Sequence, residues 1–215
     1  MGQKVMTEFK PNKEGLYIED FKEYYMEDFK LIKEGHYDVS KISDIVSGFT
    51  SEWLEDTSRQ DGAIHHWRTF SYHLTWYPLG WVPGEEYSPS FLCKNNELWE
   101  LIDPIIKDLE KTNNGRVGRA TLVSLPAMQL VTPHYDKALY THLIRRFHIP
   151  ILTNEKTLFS VDNMYANMEI GDSWRVNNKL LHGVYNFGET DRVHLMVDII
   201  PEELIGDKKY EGEPY

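Results

Sequence analysis

Three residues in the second half of the chain could together bind a metal ion. His134 and Asp136 lie two positions apart in the segment TPHYD, residues 132–136. Side chains at positions i and i+2 of an extended segment point to the same side, so the imidazole and the carboxylate can converge on one ion. His182 can supply a third ligand if a closed sheet brings it opposite this pair. Two histidines and one carboxylate suit non-haem Fe(II) oxygen chemistry, and zinc fits the same ligands.

An arginine ten residues after His182 could bind a carboxylate beside that metal. Arg192 begins the alternating segment RVHLMVD, residues 192–198, and its planar guanidinium matches a carboxylate in a bidentate manner. We expect it to reach the same end of a barrel and to hold the far carboxylate of 2-oxoglutarate. The structural alternative is a salt bridge from Arg192 to a nearby acidic residue, namely Asp191, Asp198 or Glu189.

The elements that must position these residues are short strands. After Gly115 the chain consists of short runs rich in β-branched and aromatic residues, separated by turn signals such as Gly171-Asp172 and Gly188-Glu189. This pattern predicts a closed or double-sheet β architecture. The predicted strands cover residues 119–125, 128–133, 143–152, 157–161, 165–170, 182–187 and 192–200.

Helices are predicted before Gly115. Apolar residues recur at helical spacing over residues 17–34, 41–56 and 96–112. Within the last run, Asp103 and Pro104 are expected to act as an N-cap and a first-turn proline, which splits the run into two short helices or kinks one. The alternating aromatic segment 63–81 predicts one or two further strands before this run.

Length and composition indicate one intracellular domain. A chain of 215 residues can bury a sizeable core, and we expect a helical and aromatic-strand flank at 1–115, a catalytic β core at 116–201 and a charged tail at 202–215. The formal net charge of −11 argues against nucleic acid and anionic membranes as partners. The one cysteine excludes an internal disulfide, and no stretch is apolar enough for a secretory signal or a membrane span. A cytoplasmic location is expected, with the oligomeric state unknown.

The stretch from Pro133 to Asp198 is similar to a known family. Its segments PHYD, RRFHIPI, DSWRVNNKLLHGVYN and DRVHLMVD resemble the aspartyl/asparaginyl β-hydroxylases, which are 2-oxoglutarate-dependent oxygenases. The resemblance implies a mainly β fold, a double-stranded β-helix of the jelly-roll, cupin-like kind with flanking N-terminal helices. It also implies Fe(II), 2-oxoglutarate and O₂. His134 and His182 match the family's metal histidines, Arg192 its cosubstrate arginine, and Arg146 and His148 its Arg-x-His triplet, which contacts the cosubstrate region.

One position departs from part of this family. Vertebrate members that hydroxylate peptides have glycine two residues after the first histidine, whereas this chain has Asp136, as do relatives that hydroxylate small amino acids. Asp136 restores the ordinary three-ligand site. The predicted activity is therefore that of an Fe(II)/2-oxoglutarate-dependent dioxygenase that hydroxylates an unactivated C–H bond of an amino acid or of a peptide or protein side chain.

Several candidates keep structural alternatives. His134 and His182, taken singly, could be structural histidines, and Arg146 and His148 could form a hydrogen-bond network on the inner face of their strand instead of meeting an anion. Ser124 is predicted to add a hydroxyl to the cosubstrate carboxylate. Aromatic residues of 63–81 are expected to pack in the core, and the first residues to consider for substrate contacts there are Arg68, Tyr72 and His73.

Two alternative functions remain for the whole chain. The same barrel could bind a metal for non-oxidative chemistry or for small-molecule sensing, as many jelly-roll proteins do. It could also be a non-enzymatic interaction module whose histidines are structural. Nothing in the sequence ranks a free amino acid, a peptide or another metabolite as the substrate.

Overall fold

A computed structural model describes residues 29–56, 67–78, 81, 83, 84, 86–136 and 138–206. Most of the predicted helix 17–34, the first part of the aromatic segment 63–81 and residues 207–215 of the tail lie outside these ranges. The strands of the described residues are, in chain order, β1 (Leu31–His36), β2 (Phe70–Trp76), β3 (Ser90–Phe91), β4 (Gly115–Leu125), β5 (Gln129–His134), β6 (Arg145–Leu152), β7 (Thr157–Val161), β8 (Met164–Ala166), β9 (Asp172–Val176), β10 (His182–Asn186) and β11 (Arg192–Pro201).

The strands form two antiparallel sheets. A major sheet has the order β1-β9-β6-β11-β4-β2-β3, and a minor sheet has the order β5-β10-β7-β8. The sheets pack face to face, because a cluster of buried apolar side chains contains residues of both, including Leu125 and Val176 from the major sheet and Val131, Phe159 and Val184 from the minor sheet. The predicted double-sheet architecture is therefore present.

Helices cover the outer face of the major sheet. They are α1 (Ser40–Ser47) and α2 (Asn96–Thr112). A short α3 (Leu139–Leu143) packs instead in the cluster that contains Ile200, whose side chain is on the opposite face of β11. The 3₁₀ turns are at Ser51–Leu54 and Glu202–Leu204. Apolar residues of α1 and α2 share one core cluster with alternate residues of β6 and β11. No helix of the described residues is both long and apolar enough to cross a membrane.

The longest helix, α2, does not divide at its proline. The Asn95 side chain caps its first turn by accepting a hydrogen bond from Leu98 N at 2.9 Å, and the helix continues through Pro104 to Thr112. Of the two expectations for Asp103 and Pro104, the division into two short helices is wrong, and the kink of a single helix stays a prediction. Proline removes one backbone hydrogen bond of the helix. Buried apolar residues before and after Pro104 nevertheless hold the helix against the sheet, namely Leu98, Ile102, Ile105, Ile106 and Leu109.

Two edge regions also differ from the expectation. Residues 31–34, predicted as the end of a helix, belong to β1, which pairs with β9 from Leu31 opposite Val176 to His36 opposite Asp172. Strand β9 was not among the predicted strands. Neither segment carries a strong alternation of its own, and each gains its strand conformation from pairing with the other at the edge of the sheet.

The two faces of strand β11 have different roles, one in the apolar core and the other in the candidate site. All ten of its residues are buried, because helices cover one face and the minor sheet covers the other. Val193, Leu195, Val197 and Ile199 pack in the cluster beneath the helices. Since side chains alternate along a strand, Arg192, His194 and Asp198 point the other way, into the space between the sheets.

Candidate active site

The two candidate metal histidines lie on neighbouring strands of the minor sheet. His182 of β10 is the direct cross-strand partner of His134 of β5, and their ring centroids are 4.4 Å apart. Gly183 permits this approach, because a Cβ there would lie 3.0 Å from the Val131 carbonyl oxygen and 3.2 Å from the Pro133 backbone. Pro133 is tolerated because β5 is an edge strand, where one backbone donor is dispensable.

Hydrogen bonds set which ring nitrogen of each histidine faces the site. His134 Nδ1 lies 2.8 Å from the Thr132 carbonyl oxygen, and His182 Nδ1 lies 2.9 Å from the Leu180 carbonyl oxygen. A carbonyl only accepts, so each Nδ1 carries the proton and each Nε2 presents a lone pair. Histidines that bind metals in proteins are commonly held this way.

Asp136 completes the cluster just beyond the end of β5. Its Oδ1 lies 3.8 Å from His134 Nε2 and 4.0 Å from His182 Nε2. Its Oδ2 accepts hydrogen bonds from Arg146 and from Asn178 Nδ2, the latter at 3.1 Å. Burial disfavours the charged form, but the Arg146 guanidinium and the hydrogen bond from Asn178 favour it and hold the pKa of Asp136 well below its usual range. The carboxylate is thus ionised, with Oδ1 turned toward the histidines.

This cluster fits a divalent transition metal. One ligand atom from each of His134, Asp136 and His182 lies within 4.8 Å of the others. The two carboxylate-to-imidazole distances fall within the roughly 4.2 Å that two ligands can span when each is about 2.1 Å from one ion. Two neutral imidazoles and one carboxylate are ligands that suit Fe(II) as well as zinc.

Metal binding is expected to stabilise the protein. Adding Zn(II) at about 100 times its dissociation constant to chelator-treated protein contributes about 2.7 kcal/mol, which raises the melting temperature of a chain of this size by about 5–10 °C. Differential scanning calorimetry measures this shift. The shift is expected to be absent in Asp136→Asn, and an equal shift in both proteins would contradict the ligand assignment.

A buried charge network lies behind the cluster. Arg146 Nε and Nη2 donate to the two Asp198 carboxylate oxygens at 2.8 and 3.1 Å, while Arg119 Nη2 lies 3.0 Å from Asp198 Oδ2. Together with Asp136, the network holds two guanidinium groups and two carboxylates. Arg146 was predicted to contact the cosubstrate region, but here its guanidinium binds Asp136 and Asp198. It positions a candidate metal ligand.

Sequence reasoning did not find all the members of this network. Asp198 appeared only as one of three alternative salt-bridge partners for Arg192. Asn178 is buried and holds Asp136 while also donating to the Thr141 carbonyl oxygen at 2.8 Å. The alternation of β11 places Asp198 on the same face as Arg192, and that pattern was the available signal.

Arg192 lies in a narrow pocket between the sheets. It is buried, and its Nη2 lies 2.6 Å from His194 Nδ1. His148, the other half of the predicted Arg-x-His pair, is also buried, with its ring centroid 5.0 Å from Phe159 and 5.8 Å from His194. The pocket is lined by Thr157, Phe159, Ala166, Met168, Val184, Arg192 and His194.

Ser124 does not face this pocket. In the register of β4 with β11, Ser124 is paired with Val193 and Leu125 with Arg192. Directly paired residues share a face of the sheet, so Ser124 lies on the side of Val193, which packs in the core beneath the helices. This register does not support the predicted contact of its hydroxyl with the cosubstrate, which stays a prediction.

The described part of the aromatic segment is divided between core and surface. Tyr72 packs in the core beneath the helices, and its hydroxyl accepts a hydrogen bond from Lys94 N at 3.2 Å. His73 is buried, with Nδ1 3.0 Å from Thr121 Oγ1. Arg68 donates to Gln129 Oε1 and lies over the exposed Trp67 ring.

Solved structures share the arrangement of the two sheets. A 2OG-Fe(II) oxygenase family oxidoreductase from Burkholderia pseudomallei superposes with a TM-score of 0.54 at 10% identity, covering 94% of this chain and 98% of that one. The 2OG complex of a viral collagen prolyl hydroxylase from Paramecium Bursaria Chlorella virus-1 gives 0.52 at 8% identity, covering 81% and 97%. The fold is therefore a double-stranded β-helix of the jelly-roll kind with flanking helices, as predicted.

The family follows from the sequence match. The model of the aspartyl/asparaginyl beta-hydroxylase family matches residues 28–201, well over half of the chain. The chain belongs to the aspartyl/asparaginyl β-hydroxylase family, which confirms the resemblance. No curated protein sequence matches it.

Proposed function

We propose that this protein is an Fe(II)/2-oxoglutarate-dependent dioxygenase that hydroxylates an unactivated C–H bond of an amino acid or of a peptide or protein side chain. The observation that carries the proposal is the convergence of His134, Asp136 and His182 between strands of this fold. The buried Arg192 in the pocket between the sheets adds a carboxylate-binding group. Nucleic acid and membranes are not among the proposed partners, given the net charge of −11.

The protein's contribution is to position the reactants and to exclude water. His134, Asp136 and His182 would hold Fe(II), which together with 2-oxoglutarate and O₂ supplies the oxidising chemistry for hydroxylation. Backbone carbonyls keep the two imidazoles in the ligating tautomer, and Arg146 and Asn178 orient Asp136. The apolar pocket walls lower the local dielectric, which strengthens the pairing of Arg192 with a carboxylate.

The test is an anaerobic titration of the Fe(II)-loaded protein with 2-oxoglutarate. We expect the weak visible charge-transfer band of an Fe(II)-chelated 2-oxo acid to appear in the wild type, followed by 2-oxoglutarate-dependent O₂ consumption once air is admitted. Metal binding without a band would instead favour a metal-binding jelly roll with sensory or non-oxidative chemistry. If the protein binds no metal and shows no band, a structural module is favoured.

Arg192→Leu is expected to raise the 2-oxoglutarate concentration needed for half of the band by about 100-fold. A hydrogen-bonded charge pair that is buried loses about 2–5 kcal/mol when one partner is truncated. The metal affinity should stay unchanged, because Arg192 is not a predicted ligand. An unchanged half-saturation in Arg192→Leu would contradict the cosubstrate role of this arginine.

A further inference from the structure

The pocket that contains Arg192 holds a second polar group whose role the family pattern does not explain. His194 is two residues further along β11, on the same inner face, with 1% of its surface exposed. Most of the pocket's lining is apolar, with Phe159, Met168 and Val184 among its walls. A polar ring in such surroundings is costly unless its nitrogens are hydrogen-bonded.

The contact with Arg192 fixes the tautomer of His194. A guanidinium has only donors, so His194 Nδ1, 2.6 Å from Arg192 Nη2, must accept. The neutral ring therefore carries its proton on Nε2. Among the residues that the structure describes, this buried Nε2 has no hydrogen-bond partner. Burial lowers the pKa of His194 well below its ordinary value, and the charges of Arg192 and His148 add to this, so the ring stays neutral.

The strand register places His194 on the route from the pocket to the metal cluster. His194 is paired with Pro150 of β6, and the next inward-facing pairs are Met196 with His148 and Asp198 with Arg146. The inner face of the major sheet thus presents polar groups in the order Arg192, His194, His148 and Arg146. Arg146 is the last of these groups, and it donates a hydrogen bond to the candidate metal ligand Asp136.

We infer that His194 is a second donor to the far carboxylate of the dicarboxylate cosubstrate, its Nε2–H binding one oxygen while Arg192 binds the other. The inference rests on the proposed function and deepens it, because it assigns to His194 the selection of a 2-oxo acid that ends in a carboxylate. His194 also orients Arg192 through Nδ1. The His194 ring therefore both orients the Arg192 guanidinium and places a neutral N–H donor beside it.

The experiment compares two 2-oxo acids of equal chain length. Isothermal titration calorimetry of the Zn(II)-loaded protein, which does not turn over, measures the binding of 2-oxoglutarate and of 2-oxopentanoate, which lacks the far carboxylate. His194→Met removes the donor, and His194→Gln is a matched variant of similar size that retains an amide donor. His194→Met should weaken 2-oxoglutarate binding by about 10- to 100-fold, the usual effect of losing a hydrogen bond to a charged group.

The second acid separates a binding role from a packing role. Binding of 2-oxopentanoate should change less than about threefold in His194→Met, and His194→Gln should recover most of the 2-oxoglutarate affinity, since the donor is what distinguishes the two variants. Equal losses for both acids, or no loss for either, would overturn the role of His194. Failure of the wild type to prefer 2-oxoglutarate would overturn the proposed function itself.

A spectroscopic measurement keeps the inference testable if His194→Met does not fold. In ¹⁵N-histidine-labelled wild type loaded with Zn(II), the Nε2–H signal of His194 should shift when 2-oxoglutarate binds and stay in place with 2-oxopentanoate. His194→Gln, which removes this signal, assigns it. If the chemical shift of this signal changes with neither acid, His194 does not bind the carboxylate.

Discussion

Replacing His182 with alanine is expected to abolish turnover and to weaken metal binding by more than about 100-fold. Loss of an outer-shell partner of a metal ligand typically costs 10–100-fold in affinity, and His182 is proposed as a ligand itself. Its Nε2 lies 4.0 Å from Asp136 Oδ1, and its Nδ1 is fixed by the Leu180 carbonyl oxygen. Competition titration with a chromogenic chelator measures the affinity, and an oxygen electrode measures 2-oxoglutarate-dependent turnover.

A surface histidine provides the matched control. His36 has a side chain that is 63% exposed and pairs with Asp172, so His36→Ala should leave both metal affinity and turnover unchanged. The charge-transfer band expected in the wild type should vanish in His182→Ala and persist in His36→Ala. Full activity of His182→Ala would remove His182 from the ligand set.

Arg146→Met is expected to have the largest effect on stability. Removing one member of a buried ion pair costs about 3–5 kcal/mol, because the remaining charge is left in a poorly solvating environment. Here the guanidinium serves two carboxylates, Asp198 through two hydrogen bonds and Asp136 through one. Urea denaturation of the metal-free protein should show this loss of unfolding free energy, and metal affinity should fall by about 10- to 100-fold as Asp136 loses its orientation.

An exposed arginine tests whether burial causes this effect. Arg116 pairs with Glu202 at 3.2 Å, with about half of each side chain exposed. Arg116→Met makes the same chemical change, yet exposed pairs contribute at most about 1 kcal/mol, so its denaturation midpoint should barely move. Similar midpoints for the two variants would contradict the role of Arg146 as the centre of a buried network.

The sequence signals that predict the strands of this protein are local. Strand β7 was predicted at its observed bounds, and the strands that carry His182 and Arg192 were placed to within one residue, because β-branched runs bounded by turn residues are encoded by neighbouring residues. The division of the helix at Pro104, one of the two expectations for that proline, is absent for the opposite reason. Burial of the apolar residues of α2 against the sheet, a tertiary contact, outweighs the local cost of proline.

The partners of the site residues depend on register. Which carboxylate Arg146 binds, and which face Ser124 occupies, follow from the pairing of β11 with β6 and β4. A shift of one residue would move every side chain to the other face. No pattern within one strand specifies the register, so the sequence named Asp198 only as an alternative partner of Arg192 and did not pair it with Arg146.

The sequence by itself determined the class of fold, the family and the residues that could bind a metal and a carboxylate, because residue type and spacing record these directly. Only the tertiary structure decided how they are arranged: His134 opposite His182, Asp136 held by Arg146 and Asn178, and His194 bonded to Arg192. These contacts join residues from different strands or loops, or depend on a side-chain rotamer. The packing of the sheets determines these contacts, and the spacing of residues along the sequence does not.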